Sequence, residues 1–307
     1  MTTTRTYDSI VLVKQVPDTH NIHGDVMKED GTINRSALPA IFNPEDLNAL
    51  EMALQVKERY GGTVTVMTMG PATAAEVLRD ALYRGADRVV LLSDRRFAGA
   101  DTLATSYTLK CAIEKLGNYD LVFCGRQAID GDTAQVPPQT AEKLGIPQIT
   151  YAETIVNLEG AEIVVERAFP LGKEMVKCKL PCLLTVVASA NRPRPPSVRK
   201  MIENKLAATP LEYKTLLNEW REFETEEKLD AYLAAHNPTG TCGLKIPLWT
   251  ADDLAVDANR LGLNGSPTQV YKVNYVVLET AESKQVPANA EGIAALMQEL
   301  VKEYIVG

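Results

Sequence analysis

The sequence has little histidine, few aromatic residues and no excess of positive charge. Histidine occurs three times, and aromatic residues make up 6% of the chain. The formal net charge is -8 at pH 7, which argues against nucleic acid or an anionic membrane as a ligand, because both are negatively charged. No apolar run is long enough to span a bilayer, so we expect no membrane insertion. The polar start shows no signal-peptide pattern, and we expect a cytoplasmic protein.

The five cysteines are odd in number and lie mostly inside apolar segments. This usage is typical of free thiols in a reducing compartment. Cys178 and Cys182 flank an apolar strand without a second pair, and His20 and His23 lie in a polar stretch. We therefore predict no metal site. No side chain has the setting of a nucleophile or an acid–base catalyst, so we predict no catalytic residue.

The most informative stretch of the chain is 121–148. Its first four residues are apolar and predict a buried strand, which Gly125 ends. A polar turn follows, and Pro137 and Pro138, which lack N–H groups, fit only in the first turn of a helix. Strand, glycine turn and helix can present free N–H groups to an anion. On spacing alone, an ordinary strand-to-helix turn is an equally good interpretation.

Apolar strands alternate with amphipathic helices along the first half of the chain. This alternation predicts a doubly wound, mostly parallel α/β sheet, in which ligands collect at the carboxyl ends of the strands. Lys14, Met69, Gly99 and Gly125 all fall at or just after predicted strand ends. The predicted strands are 9–13, running on to a stop at Pro17, then 63–69, 89–92 and 121–124, with a loop or short hairpin over 20–40.

Two helix starts stand out by their capping residues. Residues 43–46, NPED, combine an Asn cap, a proline in the first position and acids in the first turn. In 99–105, GADTLAT, either Asp101 or Thr102 is the expected cap, and the glycine would let a ligand approach closely. On pattern alone, both segments are ordinary capped helices.

Residues 125–148, GRQAIDGDTAQVPPQTAEKLGIPQ, resemble the signature of the beta subunit of electron transfer flavoproteins. VKQVPDT at 13–19 resembles the N-terminal motif of that family. The resemblance implies an adenine-nucleotide alpha-hydrolase-like fold whose signature loop holds AMP in ordinary members and a second FAD in electron-bifurcating members. The forms of 130–136 and 265–270 resemble the bifurcating type. The resemblance leaves out the extreme N-terminus and an insertion at about 203–245.

The resemblance also implies which residues contact the cofactors. Backbone donors of 126–136 would hold the diphosphate and ribityl chain, and side chains from strand ends and from 43–46 would surround the adenosine. The acids Asp130 and Asp132 suit ribose hydroxyls better than phosphate. The implied FAD or AMP contacts are Leu12, Asn43, Pro44, Glu45, Asp46, Met69, Gly125, Arg126, Gln127, Ala128, Ile129, Asp130, Gly131, Asp132, Thr133, Ala134, Gln135 and Val136. The implied NADH contacts are Gly99, Ala100, Asp101, Thr102, Leu103 and Thr105.

The basic, proline-rich segment 191–201 is predicted to form neither helix nor strand. A solvated loop is the plain interpretation. The resemblance implies instead a recognition loop that docks onto a partner dehydrogenase, with Val198 at the position of its apolar anchor. Before this segment, further strands are predicted over 149–156, 163–166 and 182–188.

The remaining chain is predicted to hold an insertion and a terminal helix. The insertion opens with a capping box, TPLE at 209–212, and is predicted to form a helical hairpin. The amphipathic helix over 289–306 could pack on its own domain or, as the resemblance implies, on an alpha subunit. We predict a nucleotide-binding α/β domain at 1–190. The recognition loop, insertion and C-terminal arm would occupy 191–307.

Taken together, the resemblance implies the beta subunit of a heterodimeric, bifurcating electron transfer flavoprotein. Such a subunit binds FAD and takes a hydride from NADH. One electron goes to ferredoxin or flavodoxin, and the other passes through FAD on the alpha subunit to a partner such as an acyl-CoA dehydrogenase. Two alternatives stay open: an ordinary beta subunit with structural AMP, and a non-enzymatic nucleotide-binding regulatory module of the same general fold.

Overall fold

The structure is a computed structural model that describes residues 5–18, 39–212, 246–269 and 285–302, together with residues 215, 225, 227, 228 and 231. Internal contacts divide the chain into two compact units, Met1–Val270 and Tyr271–Gly307.

The larger unit is built on a mixed sheet with helices on both faces. Its main strands are β1 (Ser9–Leu12), β4 (Val64–Met69), β5 (Arg88–Leu92), β6 (Leu121–Gly125), β7 (Gln148–Glu159), β8 (Glu162–Phe169), β9 (Gly172–Lys179), β10 (Cys182–Val186) and β11 (Leu248–Trp249), and a separate pair is β2 (Gln15–Pro17) with β3 (Ala40–Phe42). The helices are α1 (Pro44–Tyr60), α2 (Ala75–Arg84), α3 (Thr102–Leu116), α4 (Val136–Leu144) and α5 (Val198–Asn204). Within the described ranges the sheet order is β11-β5-β4-β1-β6-β10-β7-β8-β9. Pairing is parallel from β11 to β7 and antiparallel from β7 to β9.

Both faces of the sheet are covered, so the central strands are apolar on both sides. Along β1, Val11 packs into a core shared with α1 and α2, whereas Ile10 packs into a core shared with α3 and α4. All residues of β1 are buried, a pattern typical of parallel strands between two helical layers. The predicted doubly wound α/β fold is therefore confirmed.

The strands differ from the prediction in several places. β1 ends at Leu12, and Pro17 lies in β2, which pairs antiparallel with β3 at the base of the hairpin predicted over 20–40. The interior of that hairpin lies outside the described residues. The sequence does not predict β9, because half of its residues, GKEMVKCK, are charged. At the edge of the sheet they are mostly exposed, so apolar side chains are not required there.

The starts of α3 and α4 follow a predicted cap residue and predicted proline positions. Asp101 accepts hydrogen bonds from the backbone N–H groups of Leu103 and Ala104 and so caps α3. α4 starts at Val136, with prolines in its first turn, and ends at Leu144, which is followed by the left-handed Gly145 with φ 66°. Both helix starts are as predicted, because proline placement and cap chemistry act locally.

The end of the proline-rich segment corrects its prediction. Residues 198–201, predicted to be neither helix nor strand, form the first part of α5. The last proline of the segment is Pro196, so none of residues 198–201 lacks the N–H group that a helix needs. Farther on, Thr209 N donates to Glu212 at 2.7 Å and Glu212 N donates to Thr209 Oγ1 at 3.2 Å, which confirms the capping box. Most of the insertion beyond it lies outside the described residues.

Residues 246–269 return to the main sheet. β11 pairs in parallel with β5, and Ala251, Leu254 and Leu261 join the core beside α3. The larger compact unit consequently extends to Val270, past the boundary after residue 190 that the sequence suggests. Long-range pairing of so short a strand leaves little local signal.

The smaller unit contains α6 (Ala290–Lys302), which confirms the helix predicted over 289–306 for its described part. Ile293, Met297 and Val301 lie on one side of α6 and are exposed. None of the helices in the described ranges has the length and hydropathy needed to cross a lipid bilayer.

Candidate functional site

Asn43 binds the loop that follows β6. Its side chain does not cap α1. Its Nδ2 instead donates to the carbonyl of Gln127 at 3.0 Å, and its Oδ1 accepts from Ile129 N at 3.1 Å. Because Asn43 is fully buried, these two bonds satisfy both ends of its amide. The cap-type residue predicted from the sequence therefore positions the loop after β6.

Asp46 joins the ends of two neighbouring strands. Its carboxylate accepts from Lys14 N at 2.8 Å and from Gly125 N at 3.0 Å. Burial raises the pKa of Asp46 to about 7, although these two hydrogen bonds act in the opposite direction. The carboxyl ends of β1 and β6 are thus fixed to the first turn of α1.

Glu45 completes the contact between α1 and the loop. It accepts from Gln127 N at 3.0 Å, and its carboxylate lies 3.0 Å from the Arg126 guanidinium. Contacts through Asn43, Glu45 and Asp46, all at the N-terminal end of α1, therefore hold the first residues of the loop against the helix start.

Gly125 is required by the close approach of α1. A Cβ at this position would lie 2.5 Å from Asp46 Oδ1 and 2.8 Å from both the backbone nitrogen of Asp46 and the carbonyl carbon of Glu45. No side chain fits there without moving helix backbone. The glycine predicted as a strand terminator is therefore a contact point between β6 and α1.

The middle of the loop is anchored by its acids and strained in its backbone. Lys14 Nζ lies 2.8 Å from both carboxylate oxygens of Asp130, and Gln127 Nε2 donates to Asp132 Oδ1 at 2.9 Å. Asp132 and Ala134 have φ angles of 48° and 54°. Left-handed backbone of this kind costs about 1–3 kcal/mol for a residue with a Cβ, and it concentrates at ligand-binding sites.

The backbone donors of the loop divide into two groups. Arg126 N donates to Val186 O at 3.0 Å, and the N–H groups of Gln127 and Ile129 are used by α1. Among the residues that the structure describes, the N–H groups of 133–136 donate to no protein acceptor. These groups lead into the start of α4, where the helix dipole is positive. The loop can thus offer an anion several N–H donors, those of 133–136. The sequence predicts such donors along the whole of 126–136.

The start of α3 is bound to a distant segment of the chain. Besides capping α3, Asp101 accepts from the backbone N–H and the hydroxyl of Thr268, at 3.1 and 2.7 Å, and Asp101 N donates to Ser266 Oγ at 2.8 Å. Burial acts to raise the pKa of Asp101, but the hydrogen bonds from Ala104 and Thr268 outweigh it, and the pKa is lowered. Both carboxylate oxygens are thus occupied by protein donors.

Comparison with known proteins identifies the family. A family model described as "Electron transfer flavoprotein domain" matches residues 30–211. The electron transfer flavoprotein subunit beta of Thermoanaerobacterium thermosaccharolyticum is 42% identical over 297 residues, which cover 97% of this chain and 99% of that relative. The chain belongs to the beta-subunit family of electron transfer flavoproteins.

Two further relatives extend the comparison for this electron transfer flavoprotein chain. The subunit beta of Clostridium acetobutylicum is 45% identical over 263 residues, covering 86% of each chain. The Caffeyl-CoA reductase-Etf complex subunit CarD of Acetobacterium woodii is 42% identical over 264 residues, again covering 86% of each chain.

In this electron transfer flavoprotein fold, the predicted residues meet at one sheet edge. Leu12 is buried beside Cys124 in the register of β1 and β6, and Met69 ends β4 and packs on the core beside α3. Gly99 is left-handed at φ 71°, and a Cβ added there would lie 3.3 Å from Leu263 Cβ. Pro44 starts α1, and Thr105 N donates to Asp101 O inside the first turn of α3.

A polar network that the sequence does not predict joins α3 to α4. Thr102 Oγ1 donates to Gln135 Oε1 at 3.0 Å and accepts from Gln139 Nε2 at 3.2 Å. Ser106 Oγ donates to Gln139 Oε1 at 3.0 Å. The available signal was the i, i+4 spacing of two pairs of polar residues, Thr102 with Ser106 and Gln135 with Gln139. The two predicted binding segments, 99–105 and 126–136, are therefore in direct contact.

The segment before α5 is bound to α1. Arg194 Nε and Nη2 donate to the two carboxylate oxygens of Glu51 at 2.7 and 3.0 Å, and Arg194 also pairs with Glu58. Asn48 Nδ2 donates to Asn191 O at 2.7 Å. The interpretation as a purely solvated loop is therefore wrong for 191–197. Val198, at the first position of α5, is 71% exposed.

Proposed function

We propose that this chain is the beta subunit of an electron-bifurcating electron transfer flavoprotein. It binds FAD in the loop 126–136 and receives a hydride from NADH bound at 99–105. Electrons leave singly, one to ferredoxin or flavodoxin and one to FAD on an alpha subunit, which supplies a partner dehydrogenase. When bound, the flavin supplies the redox chemistry, and this chain supplies its binding groups and electrostatic surroundings.

The observation that carries the proposal is the run of N–H groups at 133–136. They are presented by left-handed residues and by the start of α4, an arrangement suited to a diphosphate. The two acidic side chains of the loop do not prevent the binding of a diphosphate. Lys14 pairs with Asp130, and the amide of Gln127 donates to Asp132, so both carboxylates are compensated within the chain.

The contact between the two segments supports placing NADH beside the flavin. The hydroxyl of Thr102, at the start of α3, touches Gln135 in the flavin loop. Hydride transfer needs donor and acceptor rings in contact, and neighbouring binding segments make that possible. The side chain of Asp101 is committed to protein donors, so its part in NADH binding is to hold α3 and 268 in place.

Exposed apolar side chains support the proposal that this chain binds other proteins. Val198 is 71% exposed, with Ile202 one turn later in α5, and α6 exposes Ile293 and Met297. We assign α5 to the partner dehydrogenase and α6 to the alpha subunit. Two relatives are named as parts of CoA-thioester reductase systems, Caffeyl-CoA reductase-Etf complex subunit CarD and Acryloyl-CoA reductase electron transfer subunit gamma. These names favour a dehydrogenase of the acyl-CoA type as the partner.

Cofactor stoichiometry tests the proposal. The chain is co-expressed with its alpha subunit, and the nucleotides released by denaturation are identified by mass. We expect two FAD and no AMP per heterodimer, and anaerobic NADH should bleach the flavin of this subunit. One FAD and one AMP per heterodimer would instead identify an ordinary beta subunit, whose AMP occupies the same loop.

A matched pair of variants ties the cofactor to the loop. Ala134 has φ 54°, which glycine adopts freely and a β-branched residue adopts poorly. Ala134→Gly should therefore keep the second FAD, and Ala134→Val should lose it while the alpha-subunit FAD stays bound. Equal FAD content in both variants would contradict the assignment of the loop.

A further inference from the structure

A cavity of about 350 Å³ lies between the first two turns of α3 and the segment 259–267. Leu103 and Tyr107 line it from α3. From the other side it is lined by Asn259, Arg260, Asn264 and the residues that follow up to Pro267. Its volume falls within the range of small-molecule sites, and its walls combine apolar surface with a few polar groups.

The charged group of the cavity is Arg260. Its guanidinium lies over the ring of Tyr107, 3.9 Å from the ring centroid. The Tyr107 hydroxyl is itself fixed, because it accepts from Asp257 N at 3.0 Å. A planar guanidinium stacked on an aromatic ring keeps its N–H groups available in its own plane, where they suit the oxygens of a phosphate.

A second cationic side chain, Lys143, lies near Arg260. Burial lowers the pKa of Lys143, and the charge of Arg260 lowers it further, while Asp101 opposes this effect. Among the described residues that line the cavity, none is acidic. The nearby carboxylate of Asp101 accepts from Thr268 and from the start of α3. An anion therefore meets one arginine and the neutral amides of Asn259 and Asn264.

The wall opposite α3 is held in place. Ser266 Oγ accepts from Asp101 N at 2.8 Å and donates to Gly262 O at 2.6 Å. A Cβ at Gly265 would lie 2.1 Å from the carbonyl carbon of Arg260, so this turn has no room for a side chain at position 265. Polar groups on a constrained turn lose little freedom when they bind a ligand.

We propose that this cavity binds a phosphate group of a nucleotide, with Arg260 as the counter-ion and Asn259 and Asn264 as neutral hydrogen-bond donors. The cavity adjoins Leu103, inside the segment assigned to NADH. Naming NADH as the nucleotide rests on the proposed function. The phosphate site itself does not, because a free nucleotide carries the same chemistry.

The test is calorimetric titration of the purified heterodimer with ADP-ribose, NAD⁺ and inorganic pyrophosphate. Arg260→Ala should weaken binding of the probes that occupy the site by about tenfold to a hundredfold, the usual loss of a hydrogen-bonded charge partner. Arg260→Lys should recover part of this loss. Arg88→Ala is the matched control, because Arg88 is an exposed arginine at the amino end of β5, on the opposite edge of the sheet.

The results separate this proposal from the flavin assignment. Binding of ADP-ribose and NAD⁺ without pyrophosphate indicates a nucleotide site, and binding of all three indicates a general phosphate site. Both support the proposal if affinity depends on Arg260. Equal affinities in Arg260→Ala and the parent, or no binding of any probe to the parent, would overturn it. Finding AMP in place of the second FAD would refute the proposed function and leave these titrations unaffected.

Discussion

Replacing Gly125 by alanine should separate β6 from the start of α1. The added Cβ would lie 2.8 Å from two backbone atoms of α1 and 2.5 Å from Asp46 Oδ1. Since ordinary contacts of a Cβ begin near 3.4 Å, the helix start must move by several tenths of an ångström. The backbone bond from Gly125 N to Asp46, now 3.0 Å, lengthens with that movement.

The expected magnitude follows from these two losses. Overpacking of this kind costs about 1–3 kcal/mol, and a weakened hydrogen bond to a buried carboxylate costs about 1–3 kcal/mol more. Gly125→Ala should therefore lower the free energy of unfolding by about 2–6 kcal/mol. It should also reduce cofactor content, because the loop that follows is positioned by the same contacts.

Gly131→Ala is the matched control, because a Cβ there meets nothing within 4 Å. Its unfolding free energy should stay within about 0.5 kcal/mol of the parent. Both variants are measured by urea unfolding of the cofactor-free chain, followed by far-ultraviolet circular dichroism with slopes compared. Equal stability of the two variants would refute the argument that helix α1 requires a glycine at the end of β6.

Two further outcomes are expected. Asp46 keeps its proton to about pH 7 in the folded chain but loses it near pH 3.8 in the unfolded chain. The stability that its raised pKa contributes is therefore present below pH 3.8 and lost as the pH rises to 7. Asp46→Asn should remove this part of the pH dependence when the free energy of unfolding is measured by urea unfolding between pH 4 and 7.5. If the free energy of unfolding changes with pH in the variant as it does in the parent, the expectation is contradicted. Arg194→Ala leaves the buried carboxylate of Glu51 without its bidentate partner and should destabilise the chain by about 1–3 kcal/mol. Arg199→Ala, at a side chain 87% exposed, should change stability by less than about 0.5 kcal/mol when both variants are measured by urea unfolding.

Local chemistry made several parts of the fold predictable. Prolines and cap residues placed the starts of α1, α3 and α4 within a few residues, and the apolar runs placed β1, β4, β5 and β6. Strand β9 was not predictable in this way, because a strand at the sheet edge needs few apolar side chains. β11 was missed for another reason: its two residues become a strand only by pairing with β5, far away in sequence.

The candidate site also has parts that the sequence predicts and parts that it does not. The sequence identified the loop after β6, the helix start at 43–46 and the segment 99–105 as places where a ligand could bind. It could not show that Asn43 binds Gln127 and Ile129 in place of capping its own helix. Nor could it show that Thr102 contacts Gln135 or that Arg260 stacks on Tyr107 of α3 beside a cavity.

The sequence by itself determined the alternation of strands and helices, the capped starts of the helices and the family to which the chain belongs. These features depend on residue spacing, on missing N–H groups and on short-range hydrogen bonds, all of which are local. Only the tertiary structure decided which N–H groups of the loop remain free, which acids are neutralised and which segments touch. Those outcomes depend on contacts between residues far apart in the chain, such as Lys14 with Asp130 and Asp46 with Gly125, which no local pattern encodes.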